Sequence, residues 1–62
     1  MTIQAFLDVL DPDTQIMVEY NYDTIFYGMR DEAIQHIEKF HQMLTIKAIW
    51  YSKLNNAIVL EI

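Results

Sequence analysis

The apolar residues of this 62-residue chain switch twice from a helical spacing to the spacing of a strand. Apolar residues recur at helical intervals within 3–10 and 34–44, whereas Ile16, Val18 and Tyr20, and then Ile58, Leu60 and Ile62, stand at every second position, as in a strand. A period of 3.6 places side chains on one stripe of a helix, and a period of two places them on one face of a sheet. The chain is therefore predicted to form one α+β domain over residues 1–62.

Capping and turn residues set the expected element boundaries. Thr2 is predicted to cap the first helix, and the segment 11–14 ends it because Pro12 cannot continue a helix. Asn and Asp favour turns at 21–24 and 53–56, and Gly28 is expected to end the second strand. The expected elements are a helix to about residue 10, strands at 15–20 and 25–27, a helix from 30 or 31 to 42 or 43, and strands at 45–52 and 57–62.

This αββαββ order predicts two helices packed on one face of a four-stranded, mainly antiparallel sheet. The alternation assigns a covered face to Ile16, Val18, Tyr20, Ile25, Tyr27, Ile58, Leu60 and Ile62. It assigns the opposite face to Met17, Glu19, Phe26, Ala57, Val59 and Glu61. The third strand adds either Ile49 and Tyr51 or Ala48 and Trp50, depending on its register. An open sheet face is usually polar, so this second set predicts an exposed apolar patch.

Size and charge limit the classes of function. A chain this short buries only about 60% of its unfolded surface, so association with another subunit is a natural source of further burial. The chain has no cysteine, and its N-terminus lacks the basic and apolar regions of a signal peptide, so we expect a soluble cytoplasmic protein. The net charge is −5, with seven acids against one Arg in residues 1–32, which disfavours nucleic acid and anionic membrane as partners.

The sequence carries no pattern typical of a catalytic, cofactor or metal site. His36 and His41 are five residues apart, which is the wrong spacing for two ligands on one helix face. Asp11 and Asp13 begin like a calcium loop, but the further Asp or Asn, the Gly and the Glu that complete such a loop are missing. One glycine and one serine leave no phosphate loop and no serine nucleophile with a neighbouring base. We therefore expect no enzyme activity, no cofactor and no small-molecule substrate.

The order of features resembles a known group of proteins. A short helix (TIQAFLDVL) leads into DPDTQIMVEYNYDTIFYG, a second helix follows, and the chain continues to IKAIWYS and NNAIVLEI. This order is similar to that of small αββαββ proteins of phages and prophages of Gram-positive bacteria. The resemblance implies an accessory protein, in some cases one that binds a bacterial factor, and it transfers no site residues.

We predict a non-catalytic protein-interaction module that uses the uncovered apolar sheet face or a free strand edge to bind a second copy, as a homodimer, or another protein. The residues expected at this interface are Met17, Phe26, Tyr51 and Val59. A second hypothesis is an inhibitor of a nucleic-acid enzyme that imitates phosphate with acidic side chains. Its binding residues would be Asp8, Asp11, Asp13, Glu19 and Asp23. A third hypothesis is a small structural component of a larger assembly.

Overall fold

Three short helices and a four-stranded sheet follow one another in the order αββααββ. The structure is a computed structural model that describes all residues from 1 to 62. The elements are α1 (Ile3–Leu7), β1 (Gln15–Tyr20), β2 (Asp23–Met29), α2 (Arg30–His36), α3 (Lys39–Gln42), β3 (Ala48–Ser52) and β4 (Ala57–Glu61). No helix has the length and apolar character needed to cross a membrane. The predicted α+β class is confirmed.

The strand order in the sheet is β2-β1-β4-β3. Two antiparallel hairpins, β1–β2 and β3–β4, meet where β1 and β4 run parallel at the centre. The segment that contains α2 and α3 connects the hairpins. The prediction of a mainly antiparallel sheet is confirmed, and β2 and β3 are its two edges.

The core lies between the helices and the face of the sheet that carries the even-numbered residues of β1 and β4. Its buried members are Ile3, Leu7, Ile16, Val18, Ala33, Ile37, Leu60 and Ile62. Full burial of an Ile, Val or Leu side chain stabilises the folded state by about 1.5–3 kcal/mol. These apolar periods are therefore the main source of the fold's stability, as the spacing predicts.

Thr2 caps α1, since its Oγ1 accepts a hydrogen bond from the Ala5 N–H at 3.2 Å. The helix ends at Leu7, three residues before the predicted end. The chain then forms a tight turn, in which the Leu10 N–H donates a hydrogen bond to the Leu7 carbonyl oxygen, three residues earlier. Leu10 still packs against the core.

The β1–β2 hairpin turns on two residues, Asn21 (φ 51°) and Tyr22 (φ 68°). Two consecutive residues of positive φ match the right-handed twist of the strands, so β2 begins at Asp23, before its predicted start. Gly28 lies within β2 and does not end it. A β-carbon at Gly28 would lie 3.1 Å from Cζ of Phe26, so the small residue leaves room for that ring.

A β-bulge corrects the predicted faces of β2. Val18 lies opposite Phe26, whereas Glu19 lies opposite Thr24, so Ile25 is an extra residue. An extra residue reverses the alternation relative to the partner strand. Phe26 therefore lies on the helix-bearing face and packs against the core, and Tyr27 lies on the open face. Both assignments from the sequence are wrong for this reason.

The predicted continuous helix from residue 30 or 31 to 42 or 43 is broken. Ile37 (ψ 129°) and Glu38 (ψ 144°) adopt extended backbone geometry between α2 and α3. The break keeps Ile37 in the core but leaves Ile34 and Phe40, members of the same predicted stripe, 40% and 63% exposed. The broken helix thus buries less apolar surface than its period predicts.

The third strand is shorter than predicted, because the N-terminal segment pairs with the residues before it. Thr45 forms a bridge with Thr2, and the Ile46 N–H bonds the Met1 carbonyl at 2.8 Å. The ladder with β4 therefore begins at Ala48. The last strand ends at Glu61, one residue earlier than predicted.

Candidate interaction surface

The open face of the sheet carries a row of apolar side chains across all four strands. Met17 of β1 lies opposite Tyr27 of β2 and Val59 of β4, and Val59 lies opposite Trp50 of β3. The two aromatic side chains at the ends of the row are 49% and 46% exposed. No helix covers this row. Its residues are apolar, as the sequence predicts for the second face of the sheet.

The aromatic side chains of the row are held by hydrogen bonds. The Tyr27 hydroxyl donates to the Asn55 carbonyl oxygen at 2.8 Å, and the Trp50 indole N–H donates to Oε2 of Glu61. Val59 lies between them and is fully buried. The ends of the row, and not its centre, are therefore the parts that a partner can touch.

Strand β3 is exposed on both of its faces. Ala48, Ile49, Trp50 and Tyr51 are consecutive apolar residues, and all four are exposed. Ile49 and Tyr51 lie on the helix-bearing side of the sheet, since their partners are Leu60 and Ile58. They are exposed because α2 packs on β2 and β1, at the far side of the sheet.

The outer edge of β3 has no neighbouring strand. Natural edge strands are protected from unwanted pairing by bulges, prolines or charged residues. The other edge, β2, has the bulge at Ile25 and the charged residue Asp23. Strand β3 has none of these within Ala48–Ser52, and only Lys47 and Lys53 flank it. It is the less protected edge of this sheet.

The four predicted interface residues do not share one face. Met17 and Val59 lie on the open face, whereas Phe26 and Tyr51 lie on the helix-bearing face. Sequence reasoning missed Tyr27, because no residue signals the bulge that turns it outward. The choice between Trp50 and Tyr51 was open, and the pairing with β4 assigns Trp50 to the open face.

The predicted acidic residues form two groups. Asp8, Asp11 and Asp13 are exposed in the segment between α1 and β1. Glu19 lies near the other end of β1, and Asp23, the first residue of β2, pairs with Tyr20 at that end. Residues 15–18 of β1, about 13 Å of extended chain, lie between the two groups.

One shallow groove of about 240 Å³ lies at the carboxyl ends of β1 and β4. Its lining residues are Glu19, Asn21, Tyr22, Lys47, Glu61 and Ile62. Pockets for small molecules usually enclose about 300–1,000 Å³, so this groove is small for a substrate site. No group of three or more His, Cys, Asp or Glu side chains is placed to hold a metal ion. His41 packs instead against the rings of Tyr20 and Phe40, with centroid distances of 4.9 and 5.2 Å.

The fold and the exposed strand together define a small α+β domain with one uncovered apolar sheet face and one poorly protected edge, β3. Comparison of the chain with protein-family models, with curated proteins and with solved structures gives no match. The physical character of the surface is therefore the basis for a functional proposal.

Proposed function

We propose that this protein is a non-catalytic interaction module that forms a homodimer through the open face of its sheet. The observation that supports the proposal is the pair of half-exposed aromatic residues, Tyr27 and Trp50, on a face that no helix covers. Aromatic residues and methionine are enriched at protein interfaces, and Met17 and Met29 lie on the same face. We choose a second copy as the partner because two-fold dimers are the commonest oligomers.

The size of the face predicts a weak, reversible dimer. Four strands spaced about 4.8 Å apart, each about 17–23 Å long, give a face on the order of 400 Å². Stable interfaces bury about 800 Å² on each partner. That area is about one fifth of the total accessible surface of 4123 Å². The fraction of dimer should therefore change over an accessible concentration range.

Sedimentation equilibrium across a concentration series, at low and high salt, tests this proposal. We expect a concentration-dependent dimer that persists at high salt, because apolar contacts are not screened. The variant Trp50→Lys places a charge on the face beside Glu61 and should abolish the dimer. Circular dichroism should show that the variant retains its helical and strand content.

Tyr51→Lys is the matched control, because Tyr51 neighbours Trp50 in the same strand but points to the opposite side of the sheet. It should leave the dimer intact. Equal loss of association in both variants would indicate pairing along the edge of β3 and would contradict a face-to-face dimer. A monomer at every concentration would also contradict it.

An accessory role in a phage or prophage is part of this proposal. Its support is the resemblance in the order of sequence features, which implies an accessory protein that in some cases binds a bacterial factor. The homodimer test is independent of the source of the chain.

A further inference from the structure

The free edge of β3 is a surface distinct from the open face. An edge strand presents backbone N–H and C=O groups that can pair with another extended chain, which is a common mode of peptide recognition. The exposed residues Ala48–Tyr51 flank this edge on both sides of the sheet. The chemistry of a fifth strand can be inferred from the charges around it.

Two exposed lysines, Lys47 and Lys53, bracket β3. Neither forms an ion pair, since the one ion pair in the protein joins Arg30 and Asp31. They are half of the four cationic side chains of a chain with a net charge of −5. A partner that pairs along β3 therefore meets a lysine at both ends, although the rest of the protein is acidic and Lys47 shares its groove with the carboxylates of Glu19 and Glu61.

Lys47 and Lys53 directly precede and follow the five residues of β3. Residues two apart in a strand share a face, so Ile49 and Tyr51 lie on the helix-bearing side between the two lysines. The five residues of β3 span about 16 Å at 3.3 Å per residue, and the lysines lie just beyond its two ends. A matching seven-residue segment has acidic residues at its first and seventh positions and apolar residues at its third and fifth positions.

A second copy is a poor match for this edge. When two β3 strands pair antiparallel over their full length, Trp50 lies opposite Trp50 of the other copy, and Lys47 of each copy lies at the same end of the pair as Lys53 of the other. Like charges that face one another across a strand pair destabilise it. We propose that the edge of β3 binds an extended segment of another protein, with an apolar centre and an acidic residue at each end.

Two seven-residue peptides with blocked ends test this proposal. One has the sequence ETVTVTE, and the other has the same centre with lysine ends, KTVTVTK. We expect the acidic peptide to shift the backbone amide NMR signals of Ala48–Ser52 in the ¹⁵N-labelled protein. The acidic peptide should bind about tenfold more tightly than the basic one, because each of its two end contacts changes from repulsion to attraction. High salt should reduce this preference.

The double variant Lys47→Glu/Lys53→Glu should reverse the preference, so that KTVTVTK binds more tightly. Lys39→Glu is the control, because Lys39 is exposed on α3, away from β3, and should keep the original preference. Dispersed amide signals in each variant would show that it is folded.

Equal affinity for the two peptides, or no reversal in the double variant, would overturn the proposal. So would signal shifts confined to the open face, or no binding at peptide concentrations up to about 1 mM. Pairing of the edge with a second copy would exclude both peptides and would overturn it as well. The result is independent of the homodimer proposal, since Trp50→Lys tests a face and the peptides test an edge.

Discussion

The side-chain amide nitrogen of Gln42 lies 2.6 Å from the carbonyl oxygen of Ile37, at the point where the helical segment breaks. The same nitrogen lies 3.1 Å from the carbonyl oxygen of Ile34. In an unbroken helix these carbonyls would accept N–H groups four residues further along the chain. Gln42, which is 3% exposed, replaces those donors with its side chain.

Replacement of Gln42 by leucine should lower the free energy of unfolding by about 1–3 kcal/mol, because buried carbonyl groups lose their donor. Urea titration followed by circular dichroism measures this change. Gln35→Leu is the matched control, since Gln35 is exposed on α2 and forms no side-chain hydrogen bond. Equal effects of the two substitutions would show that the Gln42 amide does not stabilise the break.

Leu60 and Leu54 are a matched pair for measuring how much burial in the core contributes to stability. Leu60 is fully buried in β4, whereas Leu54 is 93% exposed in the β3–β4 turn. Leu60→Ala should cost about 2–5 kcal/mol. A domain of this size has about 3–5 kcal/mol of stability in total, so this variant should be largely unfolded. Leu54→Ala should change the urea midpoint little, and a comparable loss in both variants would contradict the assigned core.

Replacement of the turn residue Tyr22 by glycine should increase the stability of the protein. Its side chain is fully exposed, and its φ of 68° is unfavourable for any residue that has a β-carbon. Tyr22→Gly should raise the free energy of unfolding by about 1 kcal/mol, because Asn-Gly is the preferred sequence of this turn. Tyr22→Ala removes the ring but keeps the β-carbon, so it should not reproduce the gain in melting temperature.

The N-cap of α1 predicts a smaller effect. Thr2→Ala removes the acceptor for the Ala5 N–H and should lower stability by about 0.5–2 kcal/mol. Thr2→Ser keeps the hydroxyl and should restore most of the loss. Thermal unfolding of the three proteins under the same conditions measures the difference. Equal stability of the alanine and serine variants would exclude a role for the hydroxyl.

Local signals predicted most of the elements. The strand at Gln15–Tyr20 is confirmed in full, and the turns around Asn21 and Asn55 join the hairpins as expected. These features depend on neighbouring residues, such as the proline before β1 and the Asn residues in the turns. Element ends were less predictable, because the pairing of Thr2 with Thr45 requires segments that are far apart in the chain.

The candidate interface was predictable as a class of surface but not residue by residue. The apolar pattern of β1 and β4 indicated a second apolar face, and the structure confirms it. The bulge at Ile25 moved Phe26 into the core and Tyr27 onto the open face, and nothing near Ile25 marks a bulge. The exposure of β3 depends on the strand order, which periodicity does not contain.

The amino-acid sequence by itself determined the α+β class, the hairpins, the cap at Thr2 and the apolar core. These follow from side-chain spacing and from the backbone preferences of single residues. Only the tertiary structure decided the break before α3, the face of Tyr27 and the free edge at β3. The side chain of Gln42 stabilises the break, and strand pairing sets the face of Tyr27 and the edge position of β3, so none of the three follows from the backbone preference of a single residue.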